Sequence, residues 1–234
     1  MVQTYQELDG KSPEVSNTIH LDKDRVRINT GSNPDQYFIY RGDKKIFLTV
    51  NLKDKSYMEI TEKEFREMSV KMDEAMKKMK ENLEKMPPEQ RKMMEGMMAK
   101  MMPGGADAPK TVYKKAGAGG RINGWITDKY EGTRGGARHS EIWTVPPKEL
   151  KLEEADFQVL KDMAGFFEKF AKNMEGMLGD KDNGLQGMPV KTVTYTDGKA
   201  GFRTELKEAK QEALAPGLFE VPAGLTRKEM GKPQ

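Results

Sequence analysis

The hydrophobic pattern first changes period at Thr61, and that change restricts the available folds more than any other feature of the chain. Upstream of it the apolar residues fall in short runs. Val15, Ile19 and Leu21 alternate loosely with polar residues, Val26 and Ile28 repeat the pattern, and Tyr37–Tyr40, Ile46–Val50 and Tyr57–Ile60 follow. Short β-rich runs about ten residues apart, with Gly, Asn and Asp between them, predict an antiparallel meander. From Thr61 onward Phe65, Met68, Met72, Met76, Met79, Leu83 and Met86 recur at three- and four-residue steps. That spacing puts one apolar stripe on a helix. Thr61 and Glu64 have the spacing of a capping box, in which the hydroxyl satisfies a free N–H of the first turn. Pro87-Pro88 must interrupt the helix, because proline lacks the N–H and clashes with the preceding turn. Pro88 can open a second helix, which carries Met93, Met94, Met97, Met98, Met101 and Met102 up to Pro103-Gly104-Gly105. The expectation is a methionine-rich helical insertion over 62–102.

Strands resume at Thr111-Val112-Tyr113. The stretch Ala116–Gly120 reads as a tight turn or bulge, and Ile122–Tyr130 pairs with Ala137–Val145. A second helix is predicted over about 153–178, with Phe157, Leu160, Met163, Ala164, Phe167, Phe170, Ala171 and Met174 on one face. Val190–Thr196 and Phe202–Lys210 bracket the hairpin turn Asp197-Gly198. The tail Phe219–Gly224 closes the fold, and Lys228 onward is expected to fray. The predicted fold class is α+β: an antiparallel, strongly curved sheet of about eight to ten strands, covered by amphipathic helices and forming one domain over 1–234.

Charge and cysteine usage narrow the function. Lys and Arg number 40 against 37 Asp and Glu, a formal charge of +3, which is too balanced for a nucleic-acid binder. The chain has no cysteine, so disulfides, thiolate zinc sites and a cysteine nucleophile are excluded. That usage suits an envelope protein. No apolar run approaches the roughly 20 residues that span a bilayer, so no transmembrane segment is expected. Met1 followed by Val2-Gln3-Thr4-Tyr5 reads as a start placed on a trimmed mature chain, with the export signal upstream. Catalytic signatures are lacking: there is no Gly-x-Ser-x-Gly and no His-Glu-x-x-His, and His20 and His139 are the only histidines. The Gly117–Gly120 run lacks dinucleotide spacing. Asp180–Gly184 begins like a calcium loop, but Lys191 stands where the bidentate glutamate belongs. The chain reads as a non-enzyme without a cofactor.

Eleven methionines lie between Met68 and Met102. Core packing is the simplest explanation, because the flexible, polarizable thioether fills irregular gaps. An adaptable greasy surface for lipid, peptide or partner helix is a second. Copper(I), which soft thioethers select, is a third. Leucine has better-defined rotamers, and its replacement so many times keeps the functional readings open. The expected ligand-binding residues are Met68, Met72, Met76, Met79, Met93, Met97 and Met101, with Trp125 and Trp143 of neighbouring predicted strands. These tryptophans serve either as core or as a cavity mouth. No metal ligand set is assigned.

Several short motifs carry a resemblance. They are Ile39-Tyr40-Arg41-Gly42-Asp43-Lys44-Lys45, Leu52-Lys53-Asp54-Lys55-Ser56-Tyr57-Met58-Glu59, Ile122-Asn123-Gly124-Trp125, Glu141–Pro146, Gly187-Met188-Pro189-Val190 and Phe219–Gly224, with the methionine-rich insertion after the second. In this order they resemble a family of secreted bacterial proteins carrying a domain of unknown function, similar in architecture to the outer-membrane lipoprotein carriers and receptors (LolA/LolB-like). The resemblance implies an export signal, a periplasmic or secreted location, and a half-barrel around helices that holds a hydrophobic ligand or partner peptide. Members of the family often carry a cysteine where this chain has Trp125, which removes a redox role there. The alternatives are a methionine-based copper(I) binder and an assembly protein using the arm as a subunit contact.

Overall fold

The computed structural model describes residues 1–9, 11–84, 86–87, 89–91, 93, 111–167 and 184–229. Twelve strands form one open sheet in the order β12-β6-β5-β4-β3-β2-β1-β11-β10-β9-β8-β7. The first six are β1 (Val2–Glu7), β2 (Val15–Asp22), β3 (Arg25–Asn29), β4 (Gln36–Arg41), β5 (Ile46–Asn51) and β6 (Ser56–Thr61). They form the predicted meander. The second group is β7 (Thr111–Ile122), β8 (Trp125–Arg134), β9 (Ala137–Val145), β10 (Met188–Thr196) and β11 (Lys199–Glu208). The two groups join through antiparallel β1–β11 pairing. The last strand, β12 (Thr226–Lys228), adds parallel to β6. Lys228 is therefore paired, where fraying was expected. Ala116–Gly120 lies inside β7, whose register shifts between Lys115 and Gly117 and between Ala118 and Gly120. The bulge reading of that stretch holds, and the turn reading does not.

Helix α1 (Glu62–Glu84) starts as its capping box requires. The Thr61 N–H donates to Glu64 Oε2 at 2.8 Å, and the Glu64 N–H donates to Thr61 Oγ1 at 3.1 Å. At the far end the Arg91 guanidinium folds back onto the carbonyls of Leu83 (3.1 Å) and Glu84 (2.7 Å). A cation there satisfies orphan acceptors and opposes the negative end of the helix dipole. Residues 89–91 and 93 are helical; the rest of the insertion lies outside the described residues. Helix α2 (Glu154–Phe167) covers the first part of the helix predicted at 153–178. Residues 168–178 of that predicted helix fall outside the described residues.

Side-chain alternation assigns the two faces. Directly paired residues run Ile142–Thr192–Thr204–Tyr5–Val15 across five strands. Along β2 this face continues to Ile19, which pairs with Ile28. From β2 to β6 it is the face the helices cover, and Val26, Tyr40, Ile60, Phe65, Val159, Leu160 and Phe166 are buried in its main core cluster. Phe47, Phe65, Phe166 and Phe167 interlock there at centroid distances of 4.8 to 6.5 Å, a spacing that favours aromatic contact. The outer face carries Tyr37, Ile39, Leu48 and Val50 in its β4–β5 part. The C-terminal segment seals it with fully buried Phe219 and with Leu214, Leu218 and Val221. Arg41 clamps that segment by donating to the Phe219 carbonyl, to Glu220, and to Asp43 at 2.8 and 2.6 Å.

Candidate functional site

Where the two meanders meet, the main core reaches the surface in a cleft of about 550 Å³. Its apolar wall consists of Ile19, Leu21, Leu150, Leu152, Ala209 and Leu214. The local chain path explains why these residues converge. Strand β9 ends at Val145, and Pro146-Pro147 turns the chain into one 3-10 turn, Pro147–Leu150. Lys151 then reverses direction with a left-handed φ of 56°. Leu150 is thereby driven into the core, 2 % exposed, while Leu152 stays half-buried beside it. The Glu153 N–H donates to Asp156 at 3.0 Å and fixes the entry to α2. The opposite wall is the stretch after β11, which runs from Ala209 to Leu214. Around the rim lie Asp22, Lys23, Lys151, Glu153, Asp156, Lys210 and Glu212, so both charge signs ring an apolar floor. Burial, followed by nearby positive charge that includes Arg27, lowers the pKa of the lining His20. At neutral pH it therefore adds no positive charge.

The outer face of β8–β10 holds a polar cluster. Glu141, 7 % exposed, is paired with Lys129, lies 2.8 Å from the Arg138 guanidinium and accepts the Tyr195 hydroxyl at 2.6 Å. Burial alone would raise its pKa, but hydrogen bonds from Lys129 and Tyr195 outweigh that and hold it down at about 2. A carboxylate so fully satisfied is a poor general base. Above it the Lys129 and Lys191 ammonium groups lie 5.1 and 4.8 Å from the Trp143 ring, within cation–π range.

The residues expected to form one ligand site lie only partly among the described residues. Met68 is half-buried against the main core cluster, which fits core packing. Met79 is half-buried on α1, and Met93 is 67 % exposed. Met72 and Met76 lie on α1 with side chains outside the described set, and Met97 and Met101 fall outside the described residues, so the thioether copper reading gains no geometry. Trp143 pairs with Lys129 and Lys191, Trp125 pairs with Ile122, and both tryptophans lean on the main cluster. Among the described side chains, Met68, Met79, Met93, Trp125 and Trp143 do not line the cleft. Ile19 and Leu21 were visible only as strand alternation. Leu150 and Leu152, between a double proline and a helix start, carry no periodic signal. Among the described residues no group of three or more His, Asp or Glu side chains could hold a metal, and no helix is long and apolar enough to cross a membrane.

A family model described as "Domain of unknown function (DUF4412)" matches residues 75–225, well over half of the chain. The chain belongs to that family. The DUF4412 match runs from within α1 to Leu225, taking in β7–β11, α2 and the C-terminal segment that seals the outer face. Leu150, Leu152, Ala209 and Leu214 fall inside it, whereas Ile19 and Leu21 precede it. No curated protein matches the chain.

Proposed function

We propose that this DUF4412 protein is a non-enzymatic component of the bacterial envelope, periplasmic or secreted. In this reading it holds a hydrophobic ligand, a lipid or acyl chain, or an apolar peptide of a partner. The observation that carries the reading is the cleft of about 550 Å³ with its wall of Ile19, Leu21, Leu150 and Leu152. Its volume falls in the range of about 300–1,000 Å³ typical of ligand sites. Each methylene desolvated against such a wall contributes about 0.8 kcal/mol, while the mixed charges of the rim suit the polar end of an amphiphile. The sheet is taken to curve as a half-barrel of the LolA/LolB-like kind, with the helices in its hollow. The methionine arm is an adaptable cover, since thioethers repack around varied shapes. The kinship to carriers is an analogy of fold, and the cleft supports the reading without it.

A titration with a fluorescent fatty acid tests the proposal. Binding should saturate at one site. Leu152→Trp, which fills the cleft from its wall, should weaken it at least tenfold, about 1.4 kcal/mol. Glu141→Gln, on the outer face, should leave it unchanged. Affinity indifferent to Leu152→Trp in a folded variant would remove the cleft as the site.

A further inference from the structure

We infer that the methionine arm is an oxidant sink, in which the thioethers of Met79, Met86 and Met93 take up hypochlorous acid as sulfoxides while the sheet keeps its fold. The chain has 18 methionines and no cysteine, so no thiol competes for an electrophilic oxidant and thioethers become its first target. Eleven of those methionines fall between Met68 and Met102. At these positions leucine would serve a helix equally well by propensity and better by rotamer definition. Besides a flexible, polarizable shape, methionine adds over leucine an oxidisable sulfur.

Placement makes this usable. Met93 is 67 % exposed, and Met79 and Met86 are half-buried, whereas half-buried Met68 packs against the main core cluster. By contrast Met188, in the main core cluster, is 8 % exposed. Helix α1 is anchored near its start, where Phe65 and Ser69 are buried, and is held at its far end by Arg91 on the Leu83 and Glu84 carbonyls. These anchors are an aromatic side chain, a buried serine and backbone carbonyls, none of which the oxidant consumes in forming a sulfoxide. In the reaction the sulfur lone pair attacks the oxygen of hypochlorous acid. A sulfur–oxygen bond forms as the oxygen–chlorine bond breaks, chloride leaves, and the proton passes to water. Sulfur is oxidised by two electrons and chlorine is reduced to chloride, so each thioether consumes one oxidant. A sulfoxide is polar: at Met93 it lies in water at little cost, whereas at Met188 it would disrupt the core.

The test is stepwise addition of hypochlorous acid to the full chain, followed by peptide mass mapping and thermal unfolding of the same samples. Met93 should become sulfoxide first, Met79 and Met86 next, and the core-packed Met68 and Met188 last, with the unfolding midpoint nearly constant until those two react. Methionine sulfoxide reductases of both epimer specificities should restore the original mass. In the volume-conserving variant Met79→Leu/Met86→Leu/Met93→Leu, Met188 should oxidise at a lower dose. The single variant Met93→Leu, altered only at an exposed site, should lose the fastest step. The inference is overturned if Met188 oxidises in step with Met93, if cooperative unfolding is lost with the first sulfoxide, or if the leucine variants protect Met188 as well as the parent does.

Discussion

Glu141 shows how a single side chain draws its role from strands far apart in sequence. It sits in β9, yet Lys129 reaches it from β8 and Tyr195, fifty-four positions later, from β10. Its folded pKa of about 2 lies below the ordinary glutamate value of about 4.3. The associated stabilisation is therefore present above that ordinary value and is lost as pH falls from about 4 toward 2. Glu141→Gln should cost about 2 kcal/mol at neutral pH, the scale of hydrogen bonds to a charged group. It should also flatten the acid limb of the stability profile, as measured by urea unfolding across pH. A parent-like acid limb in the variant would show that other carboxylates govern acid unfolding. None of this was legible in advance. Glu141-Ile142-Trp143 stood out as a motif, but which lysine and which tyrosine face it depends on register, and register is set by the whole sheet.

At the scale of elements, legibility follows the range of the interaction. The start of α1 was readable because a capping box acts over three residues, and Thr61 and Glu64 make both of its backbone bonds. Thr61→Ala should cost about 1 kcal/mol and should speed amide exchange in the first turn more than at Phe166; equal effects at both would deny the cap a local role. The C-terminal segment was not readable as a seal. Phe219-Glu220-Val221-Pro222 has no periodicity, and its partners Arg25, Arg27 and Arg41 resemble the polar punctuation of edge strands. Only in the fold does Arg27 donate to the Leu218 carbonyl at 2.9 Å while Arg25 lies 5.0 Å over the Phe219 ring. Phe219, 1 % exposed, anchors that segment. Phe219→Ala should cost about 3 kcal/mol in chemical denaturation, and it should uncover Tyr37, Ile39, Leu48 and Val50 to a hydrophobic dye.

For the whole molecule, the two groups of strands on either side of the arm were visible in their period-two runs. Their junction was not. Pairing of β1 with β11 brings together residues some two hundred positions apart, and no local pattern encodes so long a closure. The same closure creates the cleft, because it sets Ile19 and Leu21 of β2 opposite the stretch after β11 and beside the turn that follows β9. The expected methionine and tryptophan residues do not include the cleft wall for a related reason: helical spacing reports which residues share a face, but the sheet decides what that face meets. Native mass spectrometry of the full chain, expressed in a bacterial envelope and purified without detergent, tests the ligand-holding role most directly. The protein should carry a bound amphiphile of defined mass that Leu152→Trp excludes. A ligand-free parent that also takes up no added fatty acid would contradict it.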